Sequence, residues 1–277
     1  MTLDQLIQPV KSHFDLFQKE YQRLTHSNVP LLCEVEEYLG QFPGKQLRPL
    51  LVLLSAQACH SMVNGHIVIA SIVELLHNAT LMHDDVVDES AIRRGHDSVR
   101  NRWGNQVAVL CGDYYLAEAM SALHWLNDET ITHIVNDTIR TMCEGELKQL
   151  AYANRSLDGE TYIDIIGSKT ASFMSTCCLL GACHIHGKVP EPEPVLQNMN
   201  AMRDFGYHYG LVYQIRDDLH DSDSRHDATL SDDTDPQKLI LHHTRLAAEA
   251  LNKIPESPSR QALHSLLLPS APQATNL

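Results

Sequence analysis

Three aspartates fall within two helical turns at Asp84, Asp85 and Asp88, with Arg93 and Arg94 just beyond them. The same acidic spacing returns at Asp217, Asp218 and Asp221. On a helix, residues four apart share a face, so Asp84 and Asp88, and again Asp217 and Asp221, project carboxylates about 6 Å apart. Like charges at that spacing repel, and each set closes an apolar helical run, so stability does not explain them. One aspartate pair on a helix is usually a solvated face; two such sets, each ending an apolar run, are not. A hard divalent cation accounts for them, above all Mg2+, which keeps several waters and takes further oxygens from phosphates. All six aspartates are candidate metal ligands, and the planar forks of Arg93 and Arg94 match phosphate oxygens.

Other charges sit where a helix would not put them unaided. Lys45 and Arg48 open a helix expected over Leu47–His60, where the macrodipole opposes positive charge; taken alone they read as a pair of exposed charges, and with an anion beside them as its binding site. Lys169 is bracketed by Ile165, Ile166, Ala171 and Phe173, a poor place for plain solvation and a good one for an ammonium aimed at phosphate.

The elements that must position these groups read as helices throughout. Apolar residues at three-to-four spacing predict helices over 2–25, 29–39, 66–88, 106–126, 129–153, 159–186 and 195–221, then 239–254 and 257–267. A loop carrying Pro43 spans 40–44, and a second spans 95–105 with Arg100, Arg102 and Trp103. No stretch of five residues alternates like a strand, so the fold class is all-α: a helical bundle presenting carboxylates inward from opposite walls.

With 277 residues and 43% hydrophobic content, the chain can build one large core, and no Pro/Gly/Ser-rich linker divides residues 1–220. A single domain over 1–268 with a disordered tail at 269–277 is expected. The formal net charge of −14 argues against nucleic acid or an anionic membrane surface as partner. No signal peptide is visible, and no apolar segment runs long enough without charge to span a bilayer. The seven cysteines read as reduced thiols, which points to the cytoplasm. Cys177, Cys178, Cys183, His184 and His186 fit no standard zinc spacing.

From about Leu31 to Lys238 the chain resembles the trans-type polyprenyl diphosphate synthases. The resemblance rests on Gly44-Lys-Gln-Leu-Arg-Pro49, the first aspartate motif with Arg93-Arg94-Gly95, Gly112-Asp113-Tyr114, Lys169-Thr170-Ala171, and Gln214 with the second aspartate motif. It implies an isoprenoid-synthase-type helical bundle around a central apolar cavity, with Mg2+ as cofactor and isopentenyl and allylic diphosphates as substrates. By that resemblance Lys45, Arg48, His77 and Arg94 hold isopentenyl diphosphate. Arg93, Lys169, Thr170 and Gln214 serve the allylic diphosphate, whose metal ions sit on Asp84, Asp88 and Asp217, with Asp85, Asp218 and Asp221 completing the shells. Glu144, Glu146 and Gln149 match a stretch lining the polar end of the cavity. The reaction implied is head-to-tail condensation with release of pyrophosphate, by a homodimer or heteromer.

Ala79 and Thr80 stand one helical turn before Asp84, where short-chain members place bulky aromatics. A turn is about 5.4 Å, comparable to one isoprenoid unit, so small residues there predict a long product, octaprenyl- or heptaprenyl-like. Beyond Asp221 the match weakens: Lys238 falls on a phosphate-contacting lysine, Ala228 replaces another, and helices that normally follow are missing. That shortened C-terminal region raises an alternative, a partner-dependent or non-catalytic subunit. A class I terpene cyclase ranks lower, because Lys45 and Arg48 are kept and the second motif is aspartate-rich.

Overall fold

The structure, a computed structural model, describes residues 2–153, 155–187, 191–220, 229–230 and 234–268. Asp221, Ala228 and the tail at 269–277 lie outside the described residues.

Among the described residues there are thirteen α-helices. Thr2 caps α1 (Leu3–Ile7) with a reciprocal bond to Gln5, and Pro9 then forces a 3-10 turn at Gln8–Val10. The single helix expected over 2–25 is therefore broken before α2 (Lys11–Thr25). Next come α3 (Pro30–Gly40), α4 (Leu47–Ala58) and α5 (Asn64–Val87).

The loop expected over 95–105 is partly ordered. Ile92–Arg93 pairs antiparallel with His96–Asp97 around a two-residue turn, and Ser98 caps the short α6 (Val99–Trp103). Both turn residues, Arg94 (φ 53°) and Gly95 (φ 76°), are left-handed, the combination that suits the twist of a tight hairpin.

Then follow α7 (Asn105–Leu126), α8 (Glu129–Ala151) and α9 (Gly159–Ile166), the last two capped by Asp128 and Asp158. A π-helical turn at Gly167–Ala171 leads into α10 (Ser172–Ala182). The uninterrupted helix expected over 159–186 thus contains a local widening. Ser168 and Ser172 each donate a hydroxyl to the carbonyl four residues back, Asp164 and Ser168, which loosens the ladder there. The chain closes with α11 (Glu193–His220), α12 (Pro236–Leu251) and α13 (Pro258–Ser265).

Helix α4 is the hub. Leu50 through Leu54 are all 0% exposed, so it is apolar all round and enclosed by α2, α5, α10 and α13. Helix α5 lies between α4 and α7, while α11 packs against α10 on one side and α12 on the other. Glycines set the closest approaches: a Cβ on Gly206 would lie 2.6 Å from the Met174 carbonyl, and one on Gly210 2.6 Å from Ala171 Cα. Taken alone, α5 is long and apolar enough to cross a membrane, but 67% of its apolar window is buried inside the bundle. The seven cysteines are all unpaired, and burial pushes the thiols of Cys178 and Cys183 up to about 12.

Candidate functional site

Helix α5 ends at the first acidic set. Asp88 closes it, its N–H donating to the Asp84 carbonyl at 2.8 Å, so the two side chains leave from one face as the spacing requires. Asp85 lies about 100° round the helix. It is 3% exposed and accepts from both Nε (2.9 Å) and Nη2 (2.6 Å) of Arg93 through one oxygen. It steadies Arg93 through that one oxygen. Burial raises the Asp84 carboxyl to about 7, with Glu146 on α8 and Asp88 adding to the shift against Lys169 and Arg93.

The opposite wall is built on the π turn. Lys169 Nζ lies 2.7 Å from Glu146 Oε2 and donates to Gln149 Oε1 at 3.0 Å. Burial alone would lower its pKa, but Glu146, with Asp84 and Asp88 beyond, outweighs that and raises it. Gly145 permits this meeting, since a Cβ there would lie 2.6 Å from the Lys169 backbone nitrogen. The next residue, Thr170, donates to Gln214 Oε1 (2.9 Å), and Gln214 Nε2 donates to Asp218 Oδ1 (2.7 Å). The Tyr162 hydroxyl donates to the other oxygen, Asp218 Oδ2. Both oxygens of Asp218 are therefore engaged by neutral donors, which fix the direction of its carboxylate. The remaining described member of the set, Asp217, is close enough to Lys45 to oppose the lowering of its pKa by burial. Lys169 and Thr170 thus tie the two acidic regions, more than a hundred residues apart in sequence, into one site.

A third group lies beside α5. Arg48 Nη1 is 3.0 Å from His77 Nε2, which must accept and so leaves the ring neutral. Burial first, then the charges of Arg48, Arg94 and Arg93, lower the His77 pKa well below its ordinary value. The hairpin turn sends Arg94 the opposite way from Arg93, and its Nη1 donates to the Phe42 carbonyl at 3.0 Å. Gly44 (φ 65°) makes room, because a Cβ there would lie 2.6 Å from the Arg94 Cζ. Lys238 is not brought into this site: its side chain is 84% exposed in the first turn of α12 and faces Asp235 at 3.9 Å. Glu144 is exposed. Ala79 is buried in α5, and Thr80, half-buried, bonds back to the His77 carbonyl.

Sequence reasoning gave Glu146 only a supporting place and passed over Tyr162 and Glu74. Glu74 carried a signal: it is the one acid inside the apolar run before Asp84, and it is 2% exposed.

The carboxylates present fit a hard cation. Glu146 Oε1 is buried with no hydrogen-bond partner, and the Asp84 carboxyl is raised to about 7 by burial first and by Glu146 and Asp88 beside it. No three metal-ligating side chains converge by themselves among the described residues. A metal held here would need the rest of its shell from water or from the oxygens of a ligand, as Mg2+ commonly does.

The sequence profile of a family described as polyprenyl synthetase matches residues 29–254. Component 2 of the heptaprenyl diphosphate synthase of Bacillus subtilis (strain 168) is 34% identical over 208 residues, 75% of this chain and 58% of that protein. The octaprenyl diphosphate synthase of Escherichia coli (strain K12) is 34% identical over 197 residues, 71% of this chain and 59% of that one. The chain therefore spans just under three fifths of these relatives. Among solved structures, a decaprenyl diphosphate synthase from Rhodobacter capsulatus superposes with a TM-score of 0.85 at 27% identity, covering 96% of this chain and 97% of that one. A polyprenyl synthase from Caulobacter crescentus CB15, complexed with calcium and isoprenyl diphosphate, superposes at 0.80 with 25% identity, covering 96% of each.

Proposed function

The chain belongs to the polyprenyl synthetase family, and we propose that it condenses an allylic diphosphate with isopentenyl diphosphate head to tail, releasing pyrophosphate. The observation that carries this reading is Lys169: a half-buried ammonium on a π turn, between carboxylates that suit a cation and a Thr170–Gln214–Asp218 chain leading to the second acidic set.

Ionisation of the allylic substrate breaks its C1–O bond, and both electrons leave with pyrophosphate. The terminal alkene carbon of isopentenyl diphosphate bonds to C1, and loss of a proton restores a double bond, with the released pyrophosphate as acceptor. The resting allylic cation would be captured by water, so the site must supply fixed positive charge and a dry apolar wall. Lys169 has three ammonium protons, two used by Glu146 and Gln149, leaving one for the departing diphosphate. Arg93 is steadied by Asp85 through Nε and Nη2, and its Nη1 lies outside that pairing. Arg48, Arg94 and neutral His77 offer donors to the second diphosphate and set the alkene's position. Asp84 and Asp88, with Asp217 across the site and Glu146 beside them, would hold Mg2+, which would neutralise charge building on the leaving group.

Incubating the purified chain with labelled isopentenyl diphosphate and farnesyl diphosphate, with and without Mg2+, tests the proposal. Metal-dependent elongation is expected, and its absence with every allylic primer and every added partner chain would overturn it. The small side chains of Ala79 and Thr80 favour a product beyond twenty carbons. Ala79→Phe should shorten the product on chromatography, and farnesyl or geranylgeranyl products alone from the unmodified chain would refute the long-product reading.

A second chain is part of this reading. Leu110 and Trp125 on α7 and Leu147 on α8 are 67%, 85% and 66% exposed, large apolar groups that favour pairing with a like or unlike subunit. Turnover only on mixing with a second chain would favour the partner-dependent alternative. The unpaired thiols support a reducing, cytoplasmic setting.

A further inference from the structure

Glu74 sits in α5 among Ile72, Val73, Leu75 and Leu76, one turn before His77 and Asn78, and is 2% exposed. Its Oε1 makes a long 3.5 Å contact with Asn78 Nδ2, which also donates to the Tyr21 hydroxyl at 3.0 Å. Its Oε2 has no hydrogen-bond partner. Among the other buried atoms that share that condition are Nε of Arg48 and Nε of Arg94. The three converge on the turn that follows Glu74: Arg48 Nη1 lies 3.0 Å from His77 Nε2, and Arg94 lines one pocket with Asn78, the side chain that Glu74 Oε1 meets, so both cations' fields reach the carboxyl.

A carboxyl at this place works against the fold. Burial raises it to about 7, more than the two arginines can lower it, and an apolar side chain would fill the same space at no such cost. Residues that reduce stability persist where they serve a site. The two guanidiniums also repel, and each opposes the charge of the other around His77.

We propose that Glu74 is the positioning residue of the isopentenyl diphosphate site, a buried counter-charge that keeps Arg48 and Arg94 side by side and turned toward one shared anion. The identity of that anion rests on the function proposed above. Without Glu74 the incoming diphosphate must draw the two cations together itself, and the cost of that ordering appears as lost affinity. Gly44 and the left-handed backbone of Arg94 serve the same end, by letting the guanidinium fold back over the loop before α4.

The test is Glu74→Gln, which keeps the shape and removes the charge, with Glu74→Asp as the charge-retaining companion. In E74Q the KM for isopentenyl diphosphate should rise on the order of 10- to 100-fold, the loss seen when the partner orienting a ligand is removed. The KM for the allylic diphosphate should stay where it is, and the melting temperature at pH 8 should not fall. E74D should recover part of the lost affinity. An unchanged isopentenyl KM in folded E74Q, an equal rise in both KM values, or a lower melting temperature with the KM ratio intact would overturn the proposal. If E74Q does not fold, E74D alone must raise the isopentenyl KM selectively, or the proposal fails. An unmodified chain that neither turns over nor binds isopentenyl diphosphate in calorimetry overturns the functional reading as well. Turnover by the unmodified chain beside an unaltered E74Q overturns this proposal alone.

Discussion

Asp84 and Asp85 are neighbours with different work, because successive residues of a helix face different surroundings. Asp84 looks across the bundle to Glu146 and Lys169, while Asp85 is spent on Arg93. Asp84→Asn should therefore cut turnover on the order of a hundredfold or more, since charge on the leaving group then loses its fixed neutraliser. Asp85→Asn should cost nearer tenfold, by freeing Arg93, and should also lower the melting temperature because a buried ion pair is broken on one side. Steady-state rates over a Mg2+ titration separate the two variants. Spacing marked Asp84, Asp88 and Arg94, while Arg48 entered through the family resemblance and Lys169 through its apolar surroundings and that resemblance. What each carboxylate meets was not legible, because it depends on chains that lie far off in sequence, the hairpin for Asp85 and Tyr162 for Asp218.

At the level of elements, helix periodicity was legible almost throughout, since each amphipathic or apolar run carries its own 3.6-residue signal. The features it could not carry are local: the break at Pro9, the hairpin at Ile92–Asp97 and the π turn at Gly167–Ala171. A two-residue strand has no period, and a widened turn needs only one side-chain hydroxyl to compete with the ladder. The glycines of α11 are the clearest element-scale test. Gly206→Ala and Gly210→Ala push a methyl group to 2.6 Å from α10 backbone or from Ala171, by the present geometry. Each should destabilise by about 1–3 kcal/mol, read as a drop in melting temperature. Gly40→Ala, at the end of α3 with nothing within 4 Å of the new methyl, is the control and should leave it unchanged.

Across the whole molecule, three carboxyls on two helices, Glu36 on α3 and Glu74 and Asp84 on α5, are each raised to about 7, in every case with burial as the first cause. The native state holds these protons up to about pH 7, whereas the unfolded chain releases them near pH 4. Stability of the metal-free protein should thus fall as pH rises from 4 toward 8 on their account. His243, lowered to about 4 by burial and by His208 and His242, acts the other way, losing stability only as pH falls from 6.5 to 4. Between pH 6.5 and 8 the carboxyls act alone, so a melting temperature that declines over that window is expected. Mg2+ with pyrophosphate at pH 8 should restore part of it, by about 2.7 kcal/mol at a hundred times the dissociation constant. That the fold is a helical bundle could be read from the chain alone; how Lys169 and Thr170 knit its walls together could not.

The hairpin that carries Arg93 and Arg94 joins what the helices keep apart. Its two arms reach in opposite directions, one to the carboxylate at the end of α5 and the other to the carbonyl of Phe42. On the function proposed above, the two arginines of this short ribbon would each serve a different diphosphate. Thermodynamic reciprocity requires that whatever factor one ligand imposes on the other be returned equally, and titrating one in the presence of the other measures it.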